Sequence, residues 1–201
     1  MSAPSSRLVE GDCLAILAEW PRGCVDAVVT DPPWNLGKDY GPHDDAVPED
    51  AHVTWLGDVL RQCGRVARGP VVFLPGSHLA ARIPDLLDAA GLVERARLAW
   101  SKPALEPIVW AGAAGPDGPR VVTAPEPPGG DPADGAHPCP KPVALMRHLV
   151  EATAPPGGLV LDPFAGSGTT LVAAADCGRA GVGVEIDARY AALARARLAA
   201  R

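Results

Sequence analysis

Leu159-Val160-Leu161-Asp162-Pro163-Phe164-Ala165-Gly166-Ser167-Gly168-Thr169-Thr170 is the stretch on which the fold turns. A short apolar run empties into a polar turn holding two glycines, and Thr169 begins a run of helix-forming residues. Such a run reads as a buried strand, a loop and the start of a helix. The same grammar recurs upstream, where Val25-Asp26-Ala27-Val28-Val29-Thr30 runs into Asp31-Pro32-Pro33-Trp34. In open α/β sheets ligands collect at the carboxyl ends of the strands, so the chain presents two site loops of different chemistry.

Working outward, strands and helices alternate. Strands are expected at Leu8–Glu10, Val25–Thr30, Val71–Leu74, Leu98–Trp100, Leu159–Leu161 and Gly181–Ile186. Helices are expected at Leu14–Trp20, Val53–Val66, His78–Ala90, Val143–Ala152, Thr169–Ala175 and Asp187–Arg201. Residues 35–52, with Gly37, Gly41, Pro42 and five acids, read as a mobile loop. Residues 103–136 are crowded with proline and glycine and offer only short hairpin candidates at Ile108–Trp110 and Arg120–Thr123. They read as an excursion from the sheet without a core of their own. The fold class that follows is α/β, a single doubly wound and mostly parallel sheet with one short Pro/Gly-rich insertion.

The totals narrow the function. A chain of 201 residues, 47% hydrophobic, suits one well-buried domain. No apolar run reaches membrane-spanning length, and the first residues lack the basic and apolar regions of a signal peptide, so a cytoplasmic protein is expected with no membrane partner. Cys13, Cys24, Cys63, Cys139 and Cys177 are odd in number and never spaced as C-x-x-C, which points to free thiols. His137 and Cys139 lack further ligands for a metal, and none is expected. The net charge of −6 runs against a nucleic-acid binder by its sum, although its distribution decides.

Each loop has its own chemistry. Gly166 and Gly168 carry no Cβ and let the backbone approach a ligand closely. Their spacing fits neither the phosphate loop nor the full dinucleotide fingerprint, which favours a ligand with a smaller anionic end. Glu185, at the tip of the following strand, stands where an acid holds a ribose diol. The pieces together suit an adenosine-containing cofactor. In Asp31-Pro32-Pro33-Trp34 the prolines stiffen the backbone and leave carbonyls free to accept. A carboxylate and a carbonyl side by side can take both hydrogens of an amino group, and the indole offers a stacking face for a base.

In this order the two motifs resemble the β group of S-adenosylmethionine-dependent DNA amino-methyltransferases, the N6-adenine and N4-cytosine family. The likeness extends to Gly11-Asp12-Cys13, to His137-Pro138-Cys139-Pro140-Lys141-Pro142, and to Glu185-Ile186-Asp187 with Tyr190. It covers nearly the whole chain, 1–201, and implies a Rossmann-like methyltransferase domain with 103–136 in the position of a target-recognition region. It implies that Asp31, Pro32, Pro33 and Trp34 form the catalytic loop. The Asp31 carboxylate and the Pro32 carbonyl would take the target amine, and Trp34 would stack on the flipped base. Asp12 and Cys13, Lys141, Asp162, Pro163, Phe164, Gly166, Ser167, Gly168, Thr169, Thr170 and Glu185 would hold S-adenosylmethionine. Asp12 would meet the adenine and Glu185 the ribose.

The implied partner is double-stranded DNA with the target base flipped out. An Asp in first position implies adenine N6 as the acceptor. Cytosine N4, an RNA substrate, and a non-catalytic cofactor- or DNA-binding relative are the other readings. The 103–136 segment is short, with Arg120 its basic residue and no Asn or Gln to read base edges. A homodimer would enlarge its footprint. Lys38 and Lys102 are candidate phosphate contacts.

Overall fold

The strand cores are runs of small and β-branched apolar residues, and their side chains alternate between two buried faces. The computed structural model describes residues 6–101, 105–113, 115, 121–123, 137 and 139–201. Strands β1 (Arg7–Glu10), β2 (Ala27–Thr30), β3 (Val71–Phe73), β4 (Glu94–Trp100), β5 (Glu106–Ala111), β6 (Val121–Val122), β7 (Leu159–Asp162) and β8 (Ala180–Glu185) form one sheet in the order β1-β8-β7-β2-β3-β5-β4-β6. β5 runs antiparallel to both its neighbours, and every other pairing is parallel.

Val28, Val71, Phe73, Val109 and Leu161 face one way, into α1 (Cys13–Ala18), α2 (Glu49–Val66) and α3 (Ile83–Ala90). Their neighbours Val29, Val72, Leu74, Ile108, Trp110 and Val160 face the other way, into α4 (Val143–Thr153) and α5 (Thr169–Asp176). The last helix, α6 (Ala188–Ala199), lies against β1, β8 and α5. Helices on both faces leave each central strand buried on two sides, as a doubly wound sheet requires. No helix of the described residues is long and apolar enough to cross a membrane.

Three expectations change. Ile108–Trp110 does not leave the sheet: β5 pairs Val72 with Trp110 on one side and Leu98 with Ile108 on the other, with Trp110 buried. Pairing with distant strands outweighs the Pro/Gly-rich surroundings, which carry no information about it. The 35–52 segment is tied down by Asp45, which is buried and accepts the backbone N–H groups of Asn35, Leu36 and Lys38. The helix expected over 78–90 divides, because Pro84 opens a fresh α-helical turn after a 3-10 segment at Ser77–Arg82. Lys102, Arg120 and Pro138 lie outside the described residues.

Candidate active site

β1, β8, β7 and β2 lie side by side and parallel, so their carboxyl ends open onto one edge of the sheet. Gly11-Asp12, Glu185, Asp162 and Asp31 are brought together there by topology alone.

The glycine turn is built on Asp162. This carboxylate is 3% exposed and accepts Thr30 Oγ1 at 2.6 Å, Phe164 N at 3.0 Å and Thr170 Oγ1 at 2.5 Å. Burial pushes it up to about 6, against the pull of those three donors. Gly166 and Gly168 take φ values of 49° and 82°, and a Cβ on Gly166 would lie 2.7 Å from His137 Nε2. The turn is braced from α6, where Arg197 donates to Ser167 O at 2.8 Å, Ser167 Oγ at 2.9 Å and Thr169 Oγ1 at 3.2 Å. Arg197 belongs to no motif and carried no sequence signal.

Glu185 accepts Gly166 N at 2.7 Å on one oxygen and Asp187 N at 2.8 Å on the other. Burial raises its carboxyl, and those two amides oppose the rise. Each oxygen keeps a lone pair for a diol. Asp12 caps α1 by accepting Ala15 N at 2.9 Å, which leaves its second oxygen for a ligand. Cys13 is buried and its thiol is pushed up to about 12, so it is no nucleophile.

Aromatic rings wall the cleft. Trp55 lies 5.5 Å from Phe164 and 4.6 Å from His43, and His137 meets Tyr190 edge-on at 4.6 Å. Trp55 sits at the edge of the apolar stripe of α2, four residues before Val59, and packs against the core there, so the helical pattern speaks only of packing and gave no signal of a site. Cys139 N donates to His137 Nδ1 at 3.2 Å, placing the proton on Nε2. Burial, with Lys141 and Arg197 nearby, lowers this histidine to about 4 and keeps it neutral. The cleft suits an adenosine cofactor: glycines that admit backbone contact, a diol-ready carboxylate, flat apolar walls, and a buried His43 Nε2 with no hydrogen-bond partner among the described residues.

At the β2 end, Lys141 Nζ lies 2.5 Å from Asp31 Oδ2. Trp34 Nε1 donates both to Asp31 Oδ1 at 3.1 Å and to Leu74 O at 3.0 Å. Burial raises the Asp31 carboxyl, and Lys141 opposes it most strongly. Asp12, Cys13, Asp31, Pro33, Lys141, Asp162, Pro163, Phe164, Gly166, Ser167, Thr169, Thr170 and Glu185 all line one cleft. Pro32, Trp34 and Gly168 do not line it. Tyr40, His43, Trp55 and Met146 do, without having been singled out in the sequence.

The DNA methylase family of N6 and N4 type matches residues 100–196. Over that stretch, just under half of its length, the chain is similar to the N6/N4 DNA methylase family. It is an S-adenosylmethionine-dependent DNA methyltransferase of the N6-adenine or N4-cytosine type. DNA adenine methyltransferase YhdJ of Escherichia coli (strain K12) is 27% identical over 240 residues, covering 95% of this chain and 82% of that protein. TTHA0409 from Thermus thermophilus, solved in complex with S-adenosyl-L-methionine, is 28% identical with a TM-score of 0.72, covering 97% of this chain and 93% of that one. The cytosine-N4-specific PvuII DNA methyltransferase shares the fold at a TM-score of 0.78 and 17% identity, covering 98% of this chain and 87% of that one.

Proposed function

We propose that this methylase transfers its methyl group to the exocyclic N6 amine of adenine in DNA. The observation that carries the reading is the adjacency of β2 and β7, which brings Asp31 and Pro33 into the same cleft as the glycine turn. S-adenosylmethionine supplies a methyl group on a positively charged sulfur, already activated for displacement. The chain then needs to bring an amine in line with it and hold it there.

Asp31 and the Pro32 carbonyl accept the two N–H hydrogens and turn the nitrogen lone pair toward the methyl carbon. As the nitrogen gains its fourth bond it becomes cationic, and its surplus proton leaves through the Asp31 carboxylate to water. The Gly166–Thr169 turn and Glu185 fix the cofactor, while Trp55 and Phe164 exclude water from its flank. The amine is out of reach inside a duplex, so the target base leaves the stack before it meets Asp31. Asp at the first motif position and the relationship to an adenine methyltransferase support adenine over cytosine.

We place the target-recognition role in 103–136, with β5 now part of the sheet, and a homodimer would double so small a footprint. Sedimentation with and without DNA checks the dimer: a doubled mass supports it and a monomer on DNA excludes it. The function is tested by transfer of tritiated methyl from S-adenosylmethionine to unmodified DNA and to RNA, with the product nucleosides separated. Label in the N6-methyladenine nucleoside from DNA is the expected result. Label in the N4-methylcytosine nucleoside, or in RNA alone, would overturn the assignment.

A further inference from the structure

We propose that Lys141 is the positioning residue of the acceptor end of the cleft: its ammonium, held between the Asp31 carboxylate and the Trp34 indole, fixes that carboxylate and supplies the charge that balances it. The proposal rests on the reading of Asp31 as the group that receives the amine.

The sequence resemblance puts Lys141 with the cofactor residues, and the geometry points elsewhere. Nζ lies 2.5 Å from Asp31 Oδ2 and 4.5 Å from the centre of the Trp34 ring, and the two charged side chains are 9% and 19% exposed. An ammonium so far from water needs compensation, which a carboxylate and the face of an indole provide together. The arrangement is built in. Pro140 and Pro142 restrict the backbone on either side of Lys141, and α4 begins at Val143 with Leu145 and Met146 sunk in the core.

The surroundings of Asp31 explain why such a cation is needed. Glu106 on β5, Asp162 on β7 and Tyr40 on the loop after Trp34 all face it, and the two carboxylates work against its negative charge, as burial does. Against these stand the Lys141 ammonium and the Trp34 N–H. A protonated Asp31 would present a hydrogen where the amine must donate one. With Lys141 in place the carboxylate stays an acceptor. As the nitrogen–methyl bond forms, the methyl–sulfur bond would break with its electron pair staying on sulfur; the cationic nitrogen then gives its proton to Asp31 and on to water, and Lys141 ends the cycle as it began.

The test compares Lys141→Met and Lys141→Arg with the unaltered chain. Lys141→Met should lower kcat at neutral pH about tenfold or more and move the acid limb of the kcat profile upward by about one unit or more. Part of the activity should return in alkaline solution, while the affinity for S-adenosylmethionine stays within about twofold of normal. Lys141→Arg keeps the charge and should keep the acid limb in place. An unmoved limb in Lys141→Met, or a raised KM for S-adenosylmethionine with normal kcat, would overturn the proposal and return Lys141 to the cofactor.

A readout without turnover separates this proposal from the assigned reaction. The carboxyl carbon of isotope-labelled Asp31 should titrate at higher pH in Lys141→Met than in the unaltered chain, and coincident titrations would refute the role. If the unaltered chain methylates no DNA, the assignment of function fails, and that titration still decides whether Lys141 governs Asp31.

Discussion

Replacing Asp162 with Ala removes the acceptor for three buried donors at once: the Thr30 and Thr170 hydroxyls and the Phe164 backbone N–H. The hydroxyls can rotate toward other acceptors, but the backbone N–H cannot. Each buried group left unsatisfied costs about 1–3 kcal/mol, so Asp162→Ala should lose about 3 kcal/mol of stability. Asp162→Asn keeps an oxygen for Thr30 and Phe164 and can donate its amide to Thr170 Oγ1, so its loss should be about 1 kcal/mol or less. Urea unfolding without cofactor measures both.

The pH dependence adds a sign. Asp162 is raised to about 6 from an ordinary 3.8, so the folded state binds this proton more tightly than the unfolded chain does. Its contribution is fully present below the ordinary value and is lost as pH rises through about 6. Carboxylates such as Asp39 and Asp187, held low by Arg189, act in the opposite sense, so the absolute curve mixes the two. The difference between the unaltered chain and Asp162→Asn isolates Asp162. It should grow in favour of the unaltered chain as pH falls through that window. A flat difference, or an Asn variant as unstable as the Ala variant, would show that Asp162 does not hold the turn through these three bonds.

Other perturbations probe the rest of the cleft. Arg197→Ala frees the Ser167–Thr169 turn and should weaken S-adenosylmethionine binding about fivefold to tenfold by calorimetry, with the unfolding midpoint nearly unchanged. Gly166→Ala places a Cβ 2.7 Å from His137 Nε2 at a φ of 49°, and should abolish measurable cofactor binding while the far-ultraviolet spectrum stays native. Tyr190→Phe removes the hydroxyl that donates to Asp39 O at 2.9 Å and tethers the loop carrying Tyr40 and His43. The cofactor should leave several-fold faster in stopped flow, whereas Asp39→Ala, which cuts an exposed ion pair, should change that rate less than about twofold.

How far the sequence carries the structure depends on how local the determinants are. The turns at Asp31 and Asp162 are punctuated by their own prolines and glycines, and both follow strands of a sheet that reads as mostly parallel, so the carboxyl edge that holds the site was legible although the order of the strands along it was not. β5 was legible only in part: Ile108–Trp110 reads as a hairpin strand and does pair antiparallel with β4, but its second partner at Val72, which sets it inside the sheet, is announced by no local pattern. The division of labour at the site was hidden in the same way. Lys141 meets Asp31 across 110 positions, and Arg197 reaches Ser167 across 30 from a helix whose pattern speaks only of packing. Asp162 lines the cleft with the cofactor residues, yet its carboxylate is spent on holding the turn.

The central claim is that Asp31 receives the amine while a separate turn holds the methyl donor. Nucleoside mass spectrometry on DNA from a methylation-free host, expressing either the unaltered chain or Asp31→Ala, tests it most directly when paired with calorimetry on both proteins. N6-methyladenine is expected with the unaltered chain alone, and S-adenosylmethionine binding with both. N6-methyladenine produced equally by Asp31→Ala would contradict it, as would N4-methylcytosine in place of N6-methyladenine.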